Sequence, residues 1–212
     1  NSLAAKIYLG IYKNRKEESN RIVKFWKYDV PAAVGRHHLT ILFALIIFFV
    51  FFAVGFFSAL KEPGFVRQVL GDNYVDLTEK NIRDGNPFNI YADENSFVMW
   101  MRIMLNNILV SFRYFSRGIA LGIPCLTDLG KESIRLGAFE YMFYAKNLGG
   151  QALVTVLIHG MLELTAIIIT CAAGVVMGTG YLFPKTGSRL DAFREVAKDG
   201  IKMVLVLIPV LD

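Results

Sequence analysis

His159 and Glu163 are the only histidine and the only acid in residues 152–181, a run that holds no Lys or Arg. Four positions apart on a helix, they present an imidazole and a carboxylate on one face. Three chemistries are open to such a pair. An ionised Glu163 can pair with Arg113 or Arg117 and fix helix register, with His159 as a hydrogen-bonding neighbour. The pair and the arginines can instead line a polar path for a proton or an anionic lipid headgroup, as in a small transporter or lipid-handling protein. The third is a metal site in an intramembrane hydrolase. Zinc usually takes three or four protein ligands, and no second His/Cys cluster of matching spacing occurs. An ionised residue at mid-bilayer costs about 3 kcal/mol on insertion scales, so Glu163 calls for a receiving neighbour.

The basic partners lie on a second apolar stretch, residues 97–123. Arg102, Asn106, Arg113 and Arg117 are spaced 4, 7 and 4, which at about 100° per residue puts them on one narrow face. Such a stripe on an otherwise apolar helix must face protein, a water-filled cleft or an interface. Asn107 adjoins it. Gly118 and Gly122 form one GxxxG and Gly174 and Gly178 a second; both let helices approach closely and permit a homo-oligomer.

These constellations need long helices to carry them. The chain has 212 residues, 54% hydrophobic and 19% charged, with a mean hydropathy of +0.43. That balance predicts an all-α fold, a polytopic α-helical membrane protein with four to five membrane segments, one of them broken or re-entrant. Residues 39–60 carry no charge and form the first span, in a helix expected to start at an Asp29 N-cap with Pro31 in its first turn. His37 and His38 fall at its inner edge as interface residues. Pro124 is expected to end the second helix, residues 127–132 to form a polar turn, and residues 134–148 to form the short helix. Gly149 and Gly150 would separate it from residues 152–181. A half-length segment over residues 201–211 follows, and the chain is expected to continue beyond both ends. Cys171 reads as a small packing residue.

Charge sets the orientation. Residues 1–30 form a basic juxtamembrane helix, with Lys6, Lys13, Arg15, Lys16, Arg21, Lys24 and Lys27 against Glu17 and Glu18; the positive-inside rule places them in the cytoplasm. The rest, residues 31–212, forms the transmembrane domain. Within it, residues 61–96 hold seven acids against four bases, suiting the non-cytoplasmic side and a docking partner there. Phe65, Val66, Val69 and Leu70 are spaced to float at the outer interface. Residues 182–199 carry Lys185, Arg189, Arg194 and Lys198 and form a cytoplasmic loop. No phosphate-cradling glycine loop, nucleophile elbow or nucleotide motif occurs. No catalytic residue, cofactor or nucleic-acid partner is expected.

The sequence also resembles a known family. Residues 25–31, FWKYDVP, and Arg36-His37 resemble the stretch entering the first span of the stage II sporulation protein M family. Ile158-His159-Gly160 and Leu162-Glu163 are similar to its hallmark. Asn106-Asn107, Gly118, Gly122, Leu136-Gly137-Ala138-Phe139, residues 178–184 and Ser188-Arg189 support the likeness, which covers most of the chain from Phe25 onward. Residues 124–135 depart from it, being polar where many members carry a longer apolar segment. The resemblance implies a multi-pass protein of the bacterial cytoplasmic (inner) membrane without established catalysis. Its namesake anchors peptidoglycan-degrading enzymes in spore engulfment. It also implies importance for His159, Gly160 and Glu163. The expected function is therefore a non-enzymatic scaffold for cell-envelope partners.

Overall fold

The computed structural model describes residues 21–87, 96–118, 120–184 and 188–206, whose regular structure is all helical, with no strand among them. The expectations for residues 1–20, for Asp93 and Glu94, for Lys185 and for residues 207–212 lie outside the described residues. The helices are α1 (Arg21–Lys24), a π-turn (Phe25–Asp29), α2 (Val30–Arg36), α3 (His38–Lys61), α4 (Phe65–Leu70), α5 (Asp72–Arg83), α6 (Ser96–Arg117), α7 (Ile123–Tyr144), α8 (Gly149–Leu182) and α9 (Arg189–Leu205).

The centre is α8, which packs on α3, α6, α7 and α9. Its side chains there are small: Ala172, Ala173 and Cys171 are fully buried, so four helices can crowd round it. Ala44, Phe48, Tyr114, Cys125, Leu129, Ile168 and Met203 complete that core. By contrast α3 turns most of its surface outward. Leu39, Phe43, Ile46, Phe49, Val50, Phe57 and Leu60 are all exposed, an apolar face far larger than a soluble monomer leaves in water.

The most extensive helix pair is α3 with α7. A Cβ on Gly55 would overlap the Ile134 backbone, and one on Gly137 would overlap the backbone of Phe52 and Phe56. Gly130 lies against Phe51, and Ala59 shares a cluster with Met142, so the two helices run in the same direction. Gly118 likewise meets Gly174, and Gly178 meets the turn at Leu121 and Gly122, so α6 runs with α8. In α9, Gly200 touches Ala173 O while Val196 covers Gly180, so α9 runs back along α8.

Several local expectations are corrected. The chain is already helical before Asp29, whose backbone is α-helical and whose side chain caps nothing. The break comes instead at His37 (φ −110°, ψ 19°). The second helix stops at Arg117, and a tight turn follows, with left-handed Leu121 (φ 63°) and Gly122 (φ 77°). Residues 127–132 are not a turn, nor is the next helix broken: α7 is continuous over 22 residues. Pro124 starts it, because a missing N–H costs nothing in a first turn. Gly149 and Gly150 open α8 rather than interrupt the chain; the reversal before them is made at Asn147 (φ 60°). Residues 201–205 continue α9 and do not start a separate segment. Finally, Phe65, Val66, Val69 and Leu70 do not float free. With Val75 they pack on Ala138, Met142 and Phe143 of α7, because Gly71 (φ 88°) folds α5 back beside α4.

Candidate functional site

A cavity of about 750 Å³ opens between α6, α7 and α8. Asn106, Asn107, Val110, Arg113, Tyr114 and Arg117 line it from α6. Asp128, Lys131, Glu132, Ile134 and Arg135 come from α7, Glu163 and Ile167 from α8, and Val69 closes one end. The space exists because α6 and α7 touch each other little, while each packs closely on another helix. Three members of the basic stripe, Asn106, Arg113 and Arg117, face this cavity together with Glu163. The side chain of Arg102 lies outside the described residues, as does that of His159, so only the backbone of α8 places His159 one turn before Glu163. Gly160 is half-buried between them.

The expected pairing of Glu163 with Arg113 or Arg117 is corrected. Arg117 reaches across the 118–122 turn and forms a tight ion pair with Asp128. Asp128 is well buried at 15% exposure, whereas Arg117 keeps 40%. Once residues 127–132 are helical, Asp128 stands on the first turns of α7, opposite the end of α6. Among the described residues no oppositely charged group lies within ion-pair distance of Glu163, Arg113 or Lys131. Arg135 pairs with Glu132 one turn away at 3.6 Å, both side chains being exposed. Asn107 is buried, and Ser111 beside it is buried with its Oγ unpartnered. Ser111 shares the side of α6 that carries Gly118 against α8.

The four glycines read as packing positions are all in close contact within one chain: Gly118 and Gly174 meet helix to helix, while Gly122 in the turn meets Val175 and Gly178 of α8. Gly174 has Cys125 Sγ and Gly118 Cα at its empty Cβ position, at 3.1 and 3.2 Å. Two further glycines, Gly55 and Gly137, make equally close approaches on α3 and α7. Gly55 is the lone glycine of an aromatic span, which was the available signal. Cys125 and Cys171 are unbonded and buried; Cys125 Sγ lies 2.9 Å from Gly122 O, the acceptor one turn back. No group of three or more His, Cys, Asp or Glu side chains suited to a metal occurs among the described residues.

A second polar cluster was missed entirely. At the start of the described chain, Arg36 Nη2 lies 2.7 Å from Asp199 Oδ1 and His37 Nε2 3.2 Å from Asp199 Oδ2, with Lys202 at 4.0 Å. Asp199 of α9 thereby ties down the break between α2 and α3. Burial pushes the Asp199 carboxyl up, but hydrogen bonds from Arg36 and His37 outweigh it and hold the group below its usual value. Basic and histidine side chains at a span's edge gave no sign of this partner, 162 residues further on.

These features define a class: an all-helical bundle with two helices long and apolar enough to cross a membrane, His38–Lys61 and the Glu163–Leu182 part of α8, and a charged cavity at its side. The chain belongs to the stage II sporulation protein M family, whose model matches residues 44–211. Family and helices together are consistent with a membrane protein. No curated protein and no solved structure matches the chain.

Proposed function

We propose that the protein is a non-enzymatic integral membrane scaffold that anchors cell-envelope partners, among them peptidoglycan-remodelling enzymes. In this reading the N-terminus is cytoplasmic and α3, α6, α7 and α8 each cross the membrane, with α9 entering it. The alternating directions of these helices support that path, and α3, α6, α7 and α8 are each 22 residues or longer. A helix of about 20 residues is long enough to cross. Arg113 and Arg117 of α6 and Asp128, Lys131, Glu132 and Arg135 of α7 line the shared cavity, as intramembrane charges do when they avoid lipid.

One observation carries the scaffold: the folded head made by α4 and α5 beyond the end of α3. It is docked on α7 through Val66 and Val75, and Arg67 gathers Asp72, Asp76 and Glu79 at 3.3, 2.7 and 3.8 Å. The head thus presents a fixed surface of paired charges with an exposed Leu77 at 48%. A rigid surface loses less entropy on binding than a free loop. Deleting the head would expose the Val66–Val75 core, so the test is a surface change. Leu77→Arg with Asp84→Arg should abolish crosslinking of the full chain to its envelope partners in the membrane while leaving its thermal unfolding unchanged. An unchanged partner set refutes the reading.

The cavity at Glu163 favours a second reading, a small transporter or lipid-handling protein. Solute flux or lipid transfer in vesicles, compared between the native chain and Glu163→Gln, separates the two. A scaffold moves nothing in either case.

A further inference from the structure

We propose that the cavity between α6 and α7 binds a phosphodiester anion through Arg113 and Lys131, and that the anion is the headgroup of a phospholipid entering from the side. The inference rests on the cavity and its charges and does not depend on the scaffold reading.

Charge balance leads to the ligand class. Of the charged groups lining the cavity, Arg117 is satisfied by Asp128 and Arg135 by Glu132. Arg113, Lys131 and Glu163 remain, with no ion partner among the described residues. Two cations against one carboxylate leave a surplus of one positive charge in a space flanked by apolar helices. Such a surplus is costly unless a counter-charge or water meets it. A phosphodiester carries one negative charge and closes the balance. Arginine grips phosphate oxygens in a bidentate fork, and lysine adds a point charge. The amides of Asn106 and Asn107 then stand ready for headgroup hydroxyls.

Access decides between a lipid and a soluble phosphate. The lip of the cavity on α6 is formed by the exposed Leu105 and Leu109, in one row with Arg113; Ile108 and Phe112, also exposed, stand further round the helix. A headgroup drawn into the cavity would leave its acyl chains along that apolar lip. The volume, about 750 Å³, is within the range of small-molecule pockets; it suits a glycerol phosphate headgroup and leaves the chains outside.

The experiment uses the full chain purified in detergent micelles. Binding is read by native mass spectrometry and by thermal shift on adding phosphatidylglycerol, phosphatidylethanolamine or soluble glycerol phosphate. The native chain should retain phosphatidylglycerol over phosphatidylethanolamine. Arg113→Ala and Lys131→Ala should each weaken that binding about tenfold or more, the scale of one charge-assisted hydrogen bond. Lys198→Ala, an exposed cation on α9, should change nothing. Glu163→Gln removes the competing carboxylate and should tighten phosphatidylglycerol, an effect that misfolding cannot produce. Equal retention of the two lipids, or indifference to all three cavity substitutions, overturns the proposal. Glycerol phosphate binding as tightly as the lipid overturns the lipid assignment.

Discussion

Replacing Gly137 by alanine adds one carbon at the point where α7 meets α3, and the structure sets what that carbon costs. It would stand 2.8 Å from Phe56 N and 3.1 Å from Phe52 C, where an unstrained contact needs about 3.5–4.0 Å. The obstacle is backbone, so no rotamer change relieves it. Either α3 retreats by about 1 Å or α7 bends, and a gap of that size forfeits a quarter to a half of each neighbouring dispersion contact. Overpacking of this kind costs about 1–3 kcal/mol, and an immovable backbone puts Gly137 at the upper end. Alanine recovers up to about 1 kcal/mol of helix propensity, leaving a net loss of about 2 kcal/mol. In lipid, close packing is itself the association force, so nothing else offsets the loss. Gly35 of α2 is the matched control, since a Cβ there meets nothing within 4 Å; Gly35→Ala should be neutral or slightly stabilising. Equilibrium unfolding in mixed micelles, followed by circular dichroism, measures both. Gly137→Ala behaving like Gly35→Ala would refute the close-approach reasoning.

Three further outcomes follow from the same geometry. Arg117→Ala should destabilise by about 1–2 kcal/mol, discounted for the exposed guanidinium. Asp128→Ala added to it should cost less than the sum, which a double-mutant cycle measures. Asp199 is held below its usual carboxyl value, so its contribution is fully present above the unfolded value of about 3.9 and is lost as pH falls through the folded one. Acid unfolding of Asp199→Asn should therefore be flatter below about pH 4 than that of the native chain, from a lower stability at neutral pH. Gly71→Ala forces a side chain onto φ 88°, ψ 146°, at a cost of about 1–3 kcal/mol; amide exchange in α5 should rise before that in α3.

Sequence and structure agree where one helix face carries a plain signal. The charge-free residues 39–60 became α3, the run 152–181 became nearly all of α8, and three members of the arginine stripe do face a common space. What escaped depended on partners far away in the chain. Asp29 and Pro31 resemble a helix start, but tertiary contacts of α2 with α9 let the helix begin earlier. Residues 127–132, with Thr127, Asp128 and Gly130, have turn chemistry; packing of Leu129 and Ser133 into the core holds them helical. The turn chemistry of that stretch conceals Asp128, and with it the partner of Arg117. Asp199 reads as one charge among many in a basic loop until α9 folds back onto Arg36.

The glycines and the charges also explain why a cavity exists at all. Gly55 and Gly137 clamp α3 onto α7, and Gly118, Gly174 and Gly178 clamp α6 onto α8. Each clamp is backbone against backbone, so neither pair can slide to fill space elsewhere. The faces left over are those of α6 and α7 that look at each other, and they hold Arg113, Lys131 and Glu132 instead of small residues. Close packing there would bury unpaired cations, which costs more than the contacts return. The gap is thus a consequence of where the glycines are and where they are not. A cavity made by two rigid clamps keeps its shape when empty, which is the property a preformed binding site requires.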